Sequence, residues 1–256
     1  MPGELKLMAV VLRTVDHGEA DRVVTLLARG HGKLAAFARA ARASRKRFGG
    51  ALEPFTLVKA ELSGRGGGDR LLRLDSVAPE RAFHAIRGDL ARIACAAYAT
   101  ELARELTRDH EPHDELFDLL VDYLGRLDAA PARPATLRAF ELAALAAAGF
   151  QPRLDACARC GAPLGEGAVT FAPADGGPLC ERCAPHAGPG RLPLSAEGLA
   201  ALRRLQAGGL DAGEGPLAGA AGRESREALE RFLTHTVGHR LQARRFLDEV
   251  GHLLAD

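Results

Sequence analysis

The chain holds 256 residues, 47% of them hydrophobic, at a formal net charge of +1, and is long enough to bury one large core or two to three small ones. No apolar run approaches the roughly 18 to 20 residues that cross a bilayer. The opening MPGELKLMAVVLRTV has acid and base where a cleavable signal has a basic start and an apolar stretch, so the expectation is a soluble globular protein of the cytoplasm without membrane contact.

The small net charge hides an asymmetry. Residues 1–78 hold 14 Lys or Arg against 8 Asp or Glu, the remainder 20 against 25, and all four lysines fall within the first 59 positions. Regions of opposite sign suggest a polyanion as partner for one and something else for the other.

Over residues 5–78 the apolar segments LKLMAVVLRT, DRVVTLLA, GKLAAFARAA, FTLVKAELSG and LLRLDSVA are short and separated by the turn signals DHGEA, RGHG and GRGGGD. They predict five strands. In under about eighty residues five strands cannot make two stacked sheets, so residues 1–79 are expected to form a small closed or partly open barrel of the class that includes the OB-fold. Within it, FARAARASRKRF places Arg39, Arg42, Arg45, Lys46 and Arg47 in nine positions with no acid among them. A charge run of this kind is ordinarily a solvated loop or hairpin. Here it adjoins a predicted strand, Lys33 and Arg39 are expected to line the same surface, and Phe37 and Phe48 offer rings for base stacking, the means by which OB-type barrels hold single strands. Phe55 is expected in the core.

From residue 79 the period turns helical. Phe83, Ile86, Leu90, Ile93 and Ala97, three and four apart, predict one amphipathic stripe. Leu116, Leu120, Tyr123 or Leu124, and Leu127 predict a second helix with Asp114 as N-cap, and a third over residues 136–148 stops at Gly149 with Pro152 beyond. The segment SAEGLAALRRL, capped by Ser195, and ESREALERFLTHTVGH predict two more around a flexible AGGLDAGEGPLAGAAG. The expected architecture is α+β and multidomain: the barrel, then an all-α helical domain over 80–153 and 191–256, interrupted by a cysteine-bearing insertion at 154–190.

In that insertion Cys157 and Cys160 stand two residues apart, nineteen residues follow, and Cys180 and Cys183 repeat the spacing. This fits C-x2-C-x15–20-C-x2-C, in which two tight turns aim four thiolates at one tetrahedral Zn²⁺. Four reduced thiols or two disulfides are the other reading; disulfides are rare in the cytosol, and two matched pairs seldom arise by accident. Four thiolates leave no open position for water or substrate, so one structural zinc ion is expected rather than a catalytic one. Cys95, among alanines, reads as a small core residue, and His186 is not needed as a ligand.

Nucleotide and hydrolase motifs are missing. RGHGKL lacks the spacing and hydroxyl of a P-loop, GRGGGD is no dinucleotide fingerprint, HEPH at 110–113 is one residue short of a metalloprotease pair and broken by Pro112, and there is no G-x-S-x-G. No catalytic residue is assigned.

Three segments resemble the bacterial RecO family of DNA repair and recombination mediators: GKLAAFARAARASRKRFGGALEPFTLVKAEL, FELAALAAAGFQPRLDACARCG and ALERFLTHTVGHRLQARRFLDEV, in the family's order. The middle one is the most specific, joining a helix end, a proline and a zinc turn in one run. The resemblance implies an N-terminal OB-fold, a helical domain and a zinc insertion, although many relatives lack a full cysteine set. It implies a non-enzymatic protein that binds single- and double-stranded DNA and anneals complementary strands. It further implies work with RecR, in some bacteria also RecF, to load RecA onto gaps coated with single-stranded DNA-binding protein, in the cytoplasm at the nucleoid during repair. Carried across, the basic positions are Lys33, Arg39, Arg42, Arg45, Lys46 and Arg47, and the metal positions are Cys157, Cys160, Cys180 and Cys183.

With so few aromatics in the barrel region, binding led by phosphate contacts is expected, with a salt slope of roughly −0.7 log units per neutralised phosphate on single strands. A second basic group, Arg240, Arg244 and Arg245, either extends the DNA path, receives a partner's acidic tail, or satisfies a helix terminus. The rival functions are a zinc-ribbon scaffold that touches nucleic acid only incidentally and a hydrolase with an unfamiliar metal site.

Overall fold

The computed structural model describes residues 3–64, 71–217 and 219–254. The chain divides into two compact units, residues 1–130 and 131–256.

In the first unit five strands, β1 (Gly3–His17), β2 (Asp21–Ala28), β3 (Gly32–Ala38), β4 (Leu57–Gly64) and β5 (Leu72–Arg81), close in the order β1-β2-β3-β5-β4. The long first strand makes closure possible: residues 3–10 pair with β4 and residues 9–17 with β2, while a bulge between Val11 and Arg13 bends the strand from one partner to the other. A short parallel ladder, Ala36 with Leu72 and Phe37 with Arg73, seals the barrel. Inward residues such as Val24, Leu26, Leu34, Ala36, Leu62 and Leu74 are buried, alternating with outward neighbours as a two-residue period requires. The segment between β3 and β4 adds the plug. Phe48, Ala51 and Leu52 join the barrel core, and Thr14 Oγ1 holds the Leu52 carbonyl at 2.6 Å. The expected five-stranded barrel is therefore present; most of its GRGGGD turn lies outside the described residues.

Two helices, α2 (Leu90–Leu106) and α3 (Asp114–Ala129), belong to the same unit. The stripe expected from Phe83 to Ala97 is not one helix face. Phe83 takes φ 45°, a 3-10 turn spans His84–Gly88, and Asp89, in extended conformation, caps α2 by accepting the Arg92 N–H at 2.9 Å. Leu90 is consequently exposed, and α2 buries Ala94, Cys95, Tyr98, Ala99 and Leu102 instead. Asp114 is the first residue of α3 rather than its cap, and its carboxylate accepts the Gly30 N–H at 2.6 Å from the β2–β3 turn. That turn is tightly seated: at Gly32, φ +71°, a Cβ would overlap the Glu111 carbonyl. The HEPH residues form the loop joining the two helices.

The second unit contains α4 (Pro134–Ala147), α5 (Ala196–Ala212), α6 (Gly219–Val237) and α7 (Ala243–Val250). Ser195 caps α5 as expected, accepting the Gly198 N–H at 3.0 Å. The Gly/Ala-rich stretch expected to be flexible is largely helical: α5 continues through a kink at Gly209 to Ala212, and Gly213 is fixed by the Thr136 hydroxyl, which donates to its carbonyl at 2.9 Å. Between α4 and α5 lies a three-stranded sheet of order β7-β6-β8, made of β6 (Val169–Ala172), β7 (Gly177–Leu179) and β8 (Leu192–Leu194).

Candidate nucleic-acid surface and metal centre

The basic segment is folded back against the β1–β2 turn. Asp21 accepts the Ala40 N–H at 2.7 Å, and the Arg42 N–H donates to the Ala20 carbonyl at 3.1 Å. A single helical turn, α1 (Arg45–Phe48), follows. Arg47 lies over the Phe48 ring, 4.9 Å from its centroid, and donates to the Arg39 carbonyl at 2.8 Å and to Ser44 Oγ at 3.1 Å. Arg42 Nη1 donates to the Glu19 carbonyl at 3.1 Å. These acceptors are uncharged. Among the described residues Arg39, Arg42 and Arg47 form no ion pair, and the guanidinium groups of Arg42 and Arg47 are oriented without being neutralised.

Not every residue expected here serves that surface. Phe48 is 2% exposed and fills the barrel, so it offers no ring to a base. Lys33 is also removed from it: Nζ donates to the Arg104 and Thr107 carbonyls at 3.0 and 2.8 Å and pairs with Asp109 at 3.3 Å, neutralising the C-terminal end of α2. Phe37 does face outward, half-buried, with its ring edge-on to His17. Phe55 is half-buried at φ 68° rather than a core residue. The side chains of Arg45 and Lys46 lie outside the described positions.

The four cysteines converge as expected, their sulfur atoms all within 4.8 Å of one another. Two backbone turns arrange this. In the first, the Gly161 N–H donates to the Cys157 carbonyl at 2.8 Å, with Gly161 at φ +73°; in the second, the Cys183 and Ala184 N–H groups both donate to the Cys180 carbonyl at 2.9 Å. Arg159 ties the turns together, pairing with Asp175 and donating to the His186 carbonyl at 2.7 Å. His186 is thus a main-chain acceptor and not a member of the sulfur cluster.

Burial alone raises the Cys157 thiol, but the N–H groups of Cys180, Cys160 and Arg159 outweigh it and bring the pKa down to about 6. Cys183 goes the other way, pushed up to about 12 by burial and by the neighbouring sulfurs. The Cys160–Cys180 separation of 3.7 Å is close to the ~3.8 Å edge of a tetrahedron with 2.3 Å metal–sulfur bonds. The donor set therefore fits a closed tetrathiolate metal site.

The sequence comparisons agree with this arrangement. The family described as Recombination protein O N terminal matches residues 1–83, and that described as Recombination protein O C terminal matches residues 87–245. The chain belongs to the RecO family. The DNA repair protein RecO of Anaeromyxobacter dehalogenans strain 2CP-C is 68% identical over 98% of both chains. That of Myxococcus xanthus is 47% identical over 95% of this chain and 96% of its own, and that of Pelobacter propionicus 38% over 96% and 97%. The two RecO matches meet at the 3-10 turn His84–Gly88, where the strands give way to helices.

In this RecO-family chain the second basic group is not a free patch. Arg244 is 2% exposed and pairs with Asp248 at 2.9 Å and Glu230 at 3.1 Å. Arg240 shares the same two carboxylates at 2.8 and 3.0 Å, and Arg245 pairs with Glu249 at 3.2 Å. The three arginines thus sit in an ion-pair network in which Arg244 is buried while Arg240 and Arg245 keep exposed side chains. Sequence reasoning missed, in turn, His17, whose ring stands edge-on to that of Phe37 with centroids 5.6 Å apart; strand alternation was the available signal for its outward position, but the contact across β2 depends on the pairing register.

Proposed function

We propose that this protein is a non-enzymatic DNA-binding mediator of repair and recombination. The observation that carries the reading is the closed barrel displaying Arg39, Arg42 and Arg47 without carboxylate partners among the described residues, in a chain of the RecO family. Un-neutralised guanidinium groups on a small barrel attract any sugar-phosphate chain and specify no base edge, so single- and double-stranded DNA both bind. A surface that screens two backbones and leaves base edges open lets complementary strands pair, which is annealing. With RecR, and RecF where it operates, the protein helps load RecA onto gaps coated with single-stranded DNA-binding protein, at the bacterial nucleoid.

In this reading residues 1–79 form the nucleic-acid module, 80–153 and 191–256 the helical part that engages protein partners, and 154–190 a staple. Zn²⁺ fits the staple best, because four thiolates suit it and close its coordination. When bound it supplies cross-linking rather than chemistry.

A strand-annealing assay tests the reading. Arg39→Glu with Arg42→Glu is expected to slow annealing by at least about tenfold with the fold retained. Unchanged annealing by a correctly folded double variant, or no nucleic-acid binding by the unaltered chain in dilute buffer, overturns it. Retained partner binding in that second case points to the scaffold alternative.

A further inference from the structure

The four clustered cysteines are not equally placed toward solvent. Cys157 is fully buried and packs with Ala172 and Leu179, Cys180 and Cys183 are half-buried, and Cys160 is exposed. The surface around Cys160 is open: a Cβ added at Gly161 would meet nothing within 4 Å, and Pro163 and residues 165–168 are exposed as well. A small solute reaches the Cys160 sulfur without any movement of the chain. A site that only cross-links gains nothing from such an open ligand.

Behind the exposed sulfur stand its partners. Cys180 Sγ lies 3.7 Å away on the opposite turn, inside a cluster whose sulfurs all fall within 4.8 Å. The three inner cysteines differ in how firmly they are held. Cys157 is fixed by its apolar packing, and Cys183 leads directly into the 3-10 turn Ala184–His186, whose last carbonyl is held by Arg159. Cys180 carries neither restraint, so it is the sulfur able to close the remaining distance. Cysteines placed in this way oxidise in two stages, an accessible sulfur first and a neighbour second, whereas Cys95, buried in α2, is shielded from both.

We propose that Cys160 and Cys180 form a peroxide-sensitive pair, in which oxidation exchanges the metal cross-link between the two turns for a disulfide. In the first step the Cys160 thiolate attacks one oxygen of hydrogen peroxide: the S–O bond forms, the O–O bond breaks and hydroxide leaves, so the sulfur is oxidised to sulfenic acid and the peroxide reduced. In the second the Cys180 thiolate attacks the Cys160 sulfur: the S–S bond forms, the S–O bond breaks and a second hydroxide leaves. Both hydroxides take protons from solvent. The disulfide uses two of the four donors and leaves Cys157 and Cys183, too few to retain Zn²⁺. It also joins the same two turns, so the segment keeps one covalent tie when the ion departs. The proposal rests on the tetrathiolate zinc reading above and adds to it a modification site and the class of oxidant that acts there.

The experiment treats the zinc-loaded full chain with hydrogen peroxide while a chromogenic indicator follows released Zn²⁺, and maps alkylated, digested samples by mass spectrometry. Zinc is expected to leave as a Cys160–Cys180 cross-link appears, with Cys157, Cys183 and Cys95 recovered as thiols and the cross-link reversed by a dithiol reductant. In Cys180→Ser the second step lacks its partner, and dimedone, a sulfenic-acid trap, is expected to label Cys160. In calorimetry the oxidised chain is expected to melt between the zinc-loaded and the chelator-stripped, reduced forms. Zinc retained under peroxide overturns the proposal, as do first oxidation at another cysteine, a cross-link within one C-x2-C turn, and sulfonic acid at Cys160 in place of a disulfide. An oxidised chain that melts no higher than the stripped one overturns the exchange of cross-links. Mapping the unaltered chain needs no substitution, so a variant that fails to fold does not shield the proposal. A chain purified without zinc overturns the zinc reading, and the order of oxidation in that same chain still decides on Cys160 and Cys180.

Discussion

Residues 39–47 of the barrel and residues 240–245 after α6 carry similar densities of arginine, but their guanidinium groups meet different acceptors. In the first stretch these are the Glu19 and Arg39 carbonyls, the Ser44 hydroxyl and the Phe48 ring. In the second they are the carboxylates of Glu230, Asp248 and Glu249. Neutral acceptors fix a cation's direction and leave its field intact; carboxylates cancel it. A count of arginines measures what a segment carries, while the acids that folding brings beside it decide what it presents.

The strongest test separates the work of the two units. Replacing Cys180 with Ser, or stripping the metal with a chelator, is expected to cost several kilocalories per mole of the roughly 10 kcal/mol or more that a tetrathiolate zinc contributes to a small domain. Metal analysis is expected to fall from one zinc per chain to none, and calorimetry to show early melting of residues 131–256. DNA affinity of the barrel is expected to stay within about threefold. A parallel collapse of DNA binding contradicts a division in which the cysteine segment is only a staple.

Next in size is charge reversal. Arg39→Glu with Arg42→Glu is expected to weaken single-strand binding at least about thirtyfold at low salt and to flatten the log–log salt slope by about 1.4, two contacts at ~0.7 each. Arg240→Glu with Arg245→Glu is expected to leave affinity within about twofold, since those charges already face carboxylates. If the second pair matters as much as the first, the contrast between the stretches is wrong.

Much of this was legible in the sequence because it is local. Five short apolar runs between glycine-rich turns gave the strands, and two C-x2-C turns gave the sulfur cluster, since each depends on neighbours within a few residues. Even the Arg244–Asp248 and Arg245–Glu249 pairs lie at the i,i+4 spacing of a helix face and were open to recognition. What escaped depends on distant chain. Glu230 reaches Arg244 from another helix, and α2's carbonyls claim Lys33 from across the loop after it. The Phe83–Ala97 stripe failed for a different reason: Phe83 and Asp89 leave helical geometry, and an alanine-rich helix buried on several sides has no single apolar face to read.

Within the C-terminal network the effect of a single arginine is expected to fall on stability. Arg244→Met removes the buried member shared by Glu230 and Asp248, and because both carboxylates keep some solvent, a loss of about 2 kcal/mol is expected rather than the 3–5 of a fully buried pair. DNA affinity is expected to be unchanged, so urea denaturation and anisotropy on one preparation distinguish a structural arginine from a binding one.

The smallest effect asks whether the acids of α6 are engaged elsewhere as well. Glu224 accepts both the N–H and the hydroxyl of Ser195, at 2.9 and 2.5 Å, while that hydroxyl caps α5 through Gly198. The Ser195 hydroxyl and N–H hold its carboxyl below the usual range near 4.5. A group whose pKa is lowered by folding stabilises above its unfolded value, so this contribution is complete at neutral pH and disappears as pH falls through the lowered folded value. Ser195→Ala is expected to cost about 1 kcal/mol at pH 7. Glu224→Gln is expected to cost less and to remove this group's share of the acid-side fall in stability, because an amide does not titrate there. A Glu224→Gln chain whose stability follows the same acid-side curve as the unaltered chain shows that Glu224 carries no net charge-linked role, and that neutralisation in α6 is confined to the arginine network around Glu230.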